Sequence, residues 1–167
     1  LRDQGICEAL DIDCNATDMM TRWEAMADRV DNLGEDVHIA MVGKYTGLTD
    51  SYLSVIKSLQ HASYDVNRTL VIDWIEASNL EDNSHVDWDT LKSADGILVP
   101  GGFGDRGIEG KILAANYART SNTPYLGICL GLQVATIEFC RNVLGMKDAN
   151  STEFDENTPE PAVVFMP

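Results

Sequence analysis

The chain has 167 residues, an apolar fraction of 44%, and 27 acidic against 12 basic side chains, for a net charge of −15. That length allows one domain with a sizeable core and a short appendage, and the charge repels nucleic acid and anionic membranes, so neither is an expected partner. No apolar run approaches the length of a membrane span, the scattered acids suit a solvated surface in a high-salt host, and the few cysteines, without zinc-site spacing, point to a reducing, cytoplasmic compartment.

The first residue is Leu1, which suggests a piece of something longer. Met19, Trp23, Met26 and Val30 recur at helical spacing and predict a helix from about Asp18 to Val30, with the Met and Trp stripe as its packing face. Asp31 to Asp36 stops it, so residues 1–36 read as a lead-in and the main domain as residues 37–167. Val37 to Gly43 is short, apolar and closed by glycine, as a buried parallel strand is; His38 within it is expected at the core or an edge. Gly43 and Lys44 resemble the end of a phosphate-binding loop, but the earlier glycine is missing and Tyr45 replaces the required hydroxyl. Thr49 or Asp50 is expected to cap a helix that turns Tyr52, Val55, Ile56 and Leu59 to one side. Leu70 to Ile75 is the next strand. Glu76 to Asp89 reads as a polar surface loop with a short helical turn, and neither His61 nor His85 has an identifiable partner.

Asp95 to Pro100 is a third strand, running into a glycine-rich loop from Gly101 to Gly107. Gly102, Gly104 and Gly107 fit the spacing of a dinucleotide fingerprint, but Asn122, Thr123 and Pro124 stand where its acidic residue belongs. Such a loop also serves to turn backbone amides toward a negative oxygen. Ile108 to Thr120 follows as a helix with Ile108, Ile112 and Ala115 on one side.

The stretch Pro124-Tyr125-Leu126-Gly127-Ile128-Cys129-Leu130-Gly131-Leu132-Gln133 then predicts a strand that turns sharply into a helix with Cys129 at the apex. An elbow of this kind strains its central residue and brings the residues two before and two after it together; Gly127 and Gly131 are small enough. It also points the positive end of the helix dipole at Cys129, which favours an anionic, nucleophilic sulfur. Parallel strands set their terminal loops side by side, so the amides after Pro100 are expected to face Cys129. Cys7, Cys14 and Cys140 have no comparable setting. Gln133 lies one turn along the helix, within reach of the site's mouth. A buried structural cysteine and a solvated helix residue are the alternative readings of Cys129 and Gln133. The helix is expected to run to Leu144 and end at Gly145, followed by a turn at Asn150 to Phe154 and a last apolar run, Ala162 to Met166.

Val99 to Gly104 followed by Pro124 to Gln133 resembles the class I glutamine amidotransferases. Val42 to Tyr45, Ser54 to Ile56 and Asn150 to Phe154 narrow the resemblance to the glutaminase domains of CTP synthases, over about Val37 to Pro167, with residues 1–36 similar to the end of a synthetase domain and its linker. The resemblance implies an α/β, three-layer, flavodoxin-like fold with a mostly parallel central sheet. It implies glutamine hydrolysis through a thioester on Cys129, supplying ammonia for ATP-dependent amination of UTP to CTP. Gly102 and Leu130 would lend the oxyanion hole their amides, Gln133, Glu153 and the backbone at Phe103 would hold L-glutamine, and Arg106 and Gly107 would belong to a GTP-responsive lid. No cofactor is implied for this stretch; ATP and Mg would serve the synthetase domain, GTP would activate, and intact family members form homotetramers.

One departure stands out. The family's base is a histidine followed two residues later by a glutamate, downstream of the nucleophile, whereas His38, His61 and His85 all precede Cys129 here and the 38 residues after it hold no histidine. The piece taken alone is therefore expected to be inactive or nearly so. Competing readings are another class I amidotransferase or a γ-glutamyl hydrolase, which would share the elbow but not the words from Asn150 to Phe154, and a non-catalytic flavodoxin-like module with Cys129 buried. An open sheet edge is expected to favour self-association.

Overall fold

The computed structural model describes residues 2–11, 18–44, 49–82, 85–102 and 104–165. Cys14, Tyr45, Phe103 and Met166 lie outside the described residues. Strands β1 (Asp36–Gly43), β2 (Thr69–Glu76), β3 (Gly96–Val99) and β4 (Tyr125–Gly127) form one parallel sheet in the order β2-β1-β3-β4. Helix α3 (Leu53–Asp65) links β1 to β2, α4 (Ala77–Glu81) and α5 (His85–Ser93) link β2 to β3, α6 (Ile108–Ser121) links β3 to β4, and α7 (Leu130–Asn142) follows β4.

The central strands β1 and β3 are apolar at successive positions because both of their faces are covered, the rule for parallel sheets. Side chains alternate across the sheet. Ala40, Val42, Ile97 and Val99 join Leu80, Leu91, Ile112, Leu130, Val134 and Ile137 in the core beneath α4 to α7. Met41 and Leu98 face the other way, with Tyr52, Val55, Ile56 and Leu59 at α3. Helices on both faces of a parallel sheet make the three-layer α/β architecture expected from the sequence. Sheet growth reverses between β1 and β3, which opens a crevice at their carboxyl ends.

Several local expectations need correction. Thr49 and Asp50 do not cap α3: they fall in a single 3-10 turn, Thr49–Tyr52, and the cap position is Tyr52, which makes no side-chain capping bond. Burying Tyr52 against Trp74 takes precedence over capping there. The stretch from Glu76 to Asp89 is not a loop with one helical turn, because Ala77, Leu80 and Leu91 are buried and draw it into α4 and α5. Helix α2 (Asp18–Asp31) forms as expected, but Trp23 and Met26 of its stripe do not pack inward. Trp23 and Met26 are exposed and line a groove of about 550 Å3 beside α3, to which α2 is tied by Arg29 bonding the Tyr64 and Asp65 carbonyls. Helix α1 (Arg2–Leu10) had no periodic signal.

After α7, the Met146 amide bonds the Cys140 carbonyl across Gly145 at φ 77°, closing the helix as the sequence indicates. Asn150 to Phe154 is a turn only in part: β5 (Ala149–Ser151) pairs in parallel with β6 (Glu160–Val163) as a separate leaf. The leaf is fixed to α7 by Arg141, whose Nε bonds the Ala149 carbonyl at 2.7 Å. At the open side of the main sheet Leu126 and Ile128 are exposed.

Candidate active site

The apex of the elbow is strained as the sequence requires. Cys129 sits at φ 52° and ψ −106°, a backbone conformation that a residue with a side chain adopts only where its surroundings impose it. Its neighbours do so by close approach. A Cβ added to Gly131 would collide with the Val99 carbonyl, and one added to Gly127 would collide with the Gly131 backbone. The Ile128 amide donates to the Val99 carbonyl at 3.0 Å, tying the turn to the end of β3. The thiol is exposed, which removes the reading of Cys129 as a buried core residue.

The glycine-rich loop lies against this apex. A Cβ built on Gly101 would stand 3.5 Å from the Cys129 Cβ, and one on Gly102 would stand 3.7 Å from the Leu130 Cδ2. In α7, the Gly131 amide bonds the Ile128 carbonyl, and the Leu132 and Gln133 amides bond the Cys129 carbonyl. The Leu130 and Gly102 amides make no hydrogen bond among the described residues.

Gln133 is partly buried, and its Oε1 is buried without a hydrogen-bond partner among the described residues. A buried acceptor left unsatisfied costs about 1–3 kcal/mol, so it calls for a donor. Glu153 is exposed in the turn after β5, its amide bonded by the Ser151 hydroxyl oxygen at 3.2 Å. Arg106 is exposed and pairs with Glu76 Oε1 at 2.7 Å and the Lys44 carbonyl at 3.4 Å, so it sits at the carboxyl ends of β1 and β2. Gly107, at φ 74°, opens α6. Lys111, buried on α6, is held below its ordinary pKa by burial and by Lys44.

His38 stands elsewhere. His38 precedes Ile39, which pairs with the first residue of β3, whereas Cys129 follows Gly127, which pairs with the last, so the two lie at opposite ends of the sheet. His38 Nδ1 instead meets Asp73 Oδ2 at 2.9 Å, and its amide donates to Asp95 Oδ2 at 2.8 Å. The bond to Asp73 raises the His38 pKa. Sequence reasoning missed Tyr125, whose hydroxyl donates to the Gly131 carbonyl at 2.8 Å. It also missed Glu138, buried on α7 and bonded by Asn116, Arg119 and Asn142. The available signals were a hydroxyl in an apolar strand and a carboxylate on the inward face of a helix.

A glycine-flanked cysteine elbow against a glycine-rich loop on a parallel sheet suits glutamine amidotransferases and γ-glutamyl hydrolases alike, and the comparisons with known proteins favour the first. The family model "Glutamine amidotransferase class-I" matches residues 47–158, and the chain belongs to that family. Within it, the chain is similar to CTP synthases: it is 59% identical over 159 residues to that of Dictyostelium discoideum, covering 89% of this chain and 28% of the relative. It is 50% identical over 165 residues to that of Geobacillus kaustophilus, covering 99% and 30%. Among solved structures, the Trypanosoma brucei CTPS glutaminase domain with bound acivicin superposes with a TM-score of 0.70 at 44% identity, over 74% of this chain and 48% of that one. The chain thus spans under a third of the length of these curated relatives.

Proposed function

We propose that these residues are the glutaminase part of a CTP synthase. The single observation that carries this is Cys129, exposed at a strained φ of 52° with the glycine-rich loop at Gly101 against it. In this reading the Cys129 sulfur attacks the side-chain amide carbon of L-glutamine and the Gly102 and Leu130 amides receive the negative oxygen. The carbon–nitrogen bond then breaks, the nitrogen leaves with a proton as ammonia, and water cleaves the thioester to glutamate. The buried Gln133 Oε1 is offered to a donor on the substrate, Glu153 to its ammonium, and the backbone at Phe103 completes the pocket.

The proton on sulfur needs a base, and His38 lies at the wrong end of the sheet to serve. The 167 residues by themselves therefore turn glutamine over slowly or not at all, the base being the histidine of a histidine-x-glutamate pair in the longer polypeptide. Residues 1–36 are proposed as the end of the synthetase domain and its linker. The ammonia passes to that domain, where ATP and Mg serve amination of UTP, in a cytoplasmic homotetramer. GTP acts as an activator at the lid carrying Arg106 and Gly107. The test is ammonia release from glutamine by a longer polypeptide containing these residues: Cys129→Ala abolishes it while synthesis from added ammonia persists. Retention of glutamine-dependent ammonia release in that variant overturns the reading.

A further inference from the structure

We propose that Tyr125 is a positioning residue for Cys129, its hydroxyl gripping the Gly131 carbonyl so that the first turn of α7 stays aimed at the sulfur. The inference rests on the reading of Cys129 as the nucleophile. Its starting point is strain: a non-glycine residue at φ 52° and ψ −106° persists only where the surrounding structure over-determines it. Two hydrogen bonds straddle the apex. On one side the Ile128 amide donates to the Val99 carbonyl at 3.0 Å, and on the other the Tyr125 hydroxyl donates to the Gly131 carbonyl at 2.8 Å. Gly131 has no side chain, and its Cα lies too close to Val99 to carry one, so Tyr125 holds this residue through its carbonyl.

Tyr125 is well built for the task. It is paired with Ile97 in the sheet and packs against the core, so its ring starts from a fixed position. Burial, with the charge of Glu138 adding to it, raises the phenol pKa, so the hydroxyl keeps its proton and remains a donor. Glu138 is held in place by Arg119 at 2.9 Å and Asn116 at 2.7 Å. Releasing the Gly131 carbonyl would let the turn carrying the Leu130 amide swing away from Cys129, weakening the field of the helix end at the sulfur.

The test compares the 167-residue chain with Tyr125→Phe, which removes one oxygen and preserves shape. Iodoacetamide alkylation of each cysteine is followed by peptide mass mapping across pH. In the variant, alkylation of Cys129 is expected to be about threefold slower at neutral pH. Alkylation of Cys140 and the melting temperature stay close to those of the parent. Superimposable Cys129 profiles overturn the inference. So does general loosening, in which Cys140 speeds up or the variant fails to fold, because the hydroxyl would then support the fold rather than the elbow. If Cys129 in the parent chain reacts no faster than Cys140, the nucleophile reading itself fails; an activated Cys129 indifferent to Tyr125→Phe sinks only the positioning role.

Discussion

Gly131→Ala tests the elbow most severely, because two effects of opposite sign compete there. Alanine favours a helix over glycine by about 1 kcal/mol in the interior, and by less at the second residue of α7. Against this, the added Cβ would fall on the Val99 carbonyl oxygen, with Val99 C at 2.9 Å and Val99 Cβ at 3.1 Å. These are strand atoms, and no side chain can swing aside to relieve them. The first turn of α7 would have to lift away, at about 1–3 kcal/mol for overpacking. Lifting also strains the hydrogen bond from Ile128 to Val99, which is worth about 1 kcal/mol. The clash wins, for a net loss of about 1–3 kcal/mol out of the roughly 5–15 kcal/mol that holds a domain together. Urea unfolding measures the loss, and alkylation of Cys129 should slow in parallel. Gly145→Ala is the control: its position is open and only its φ of 77° is strained, so it loses about 1 kcal/mol and leaves Cys129 untouched. A Gly131→Ala variant as stable and as reactive as the parent would refute the close-packed elbow.

Other consequences are equally measurable. Cys129→Gly relieves the backbone at φ 52° and should raise stability by about 1 kcal/mol in urea while removing the reactive thiol, an exchange of function for stability. Glu138 is 3% exposed in its side chain; burial pushes its pKa up, but the bonds from Arg119, Asn116 and Asn142 outweigh this and hold it low. Its contribution is therefore present above the unfolded carboxylate value and lost as pH falls through the lower folded value, and Glu138→Ala should lose about 3 kcal/mol at neutral pH. His38 runs the other way. Its folded pKa is raised by Asp73, so its contribution is complete below the ordinary value of 6.5 and fades as pH climbs through the folded one; His38→Gln should flatten stability over that window. With a net charge of −15, the melting temperature should climb in molar salt as self-repulsion is screened, and a flat response would remove the high-salt reading.

The strands and the elbow were legible because their signals are local. Val37 to Gly43 and Asp95 to Pro100 announce buried strands by composition, and a cysteine between Gly127 and Gly131 leaves few backbone geometries open. That the loop after Pro100 lies against Cys129 followed from the order of parallel strands. What escaped depends on distant partners. Leu80 and Leu91 look unremarkable in an acidic stretch until the sheet supplies the face they bury against, and β5 pairs with β6 across a turn containing proline. Tyr125 reads as one more strand residue because nothing in its immediate neighbours reveals that its hydroxyl reaches Gly131. The stripe from Trp23 to Met26 misled in the opposite sense, as periodicity shows that a face is apolar but not that it is covered.

Acivicin labelling with peptide mapping, repeated with excess L-glutamine, addresses the central claim most directly. The elbow and its paired amides require modification of Cys129 ahead of Cys7, Cys14 and Cys140, with glutamine protecting it. Labelling spread evenly over the four cysteines, or unaffected by glutamine, would contradict it.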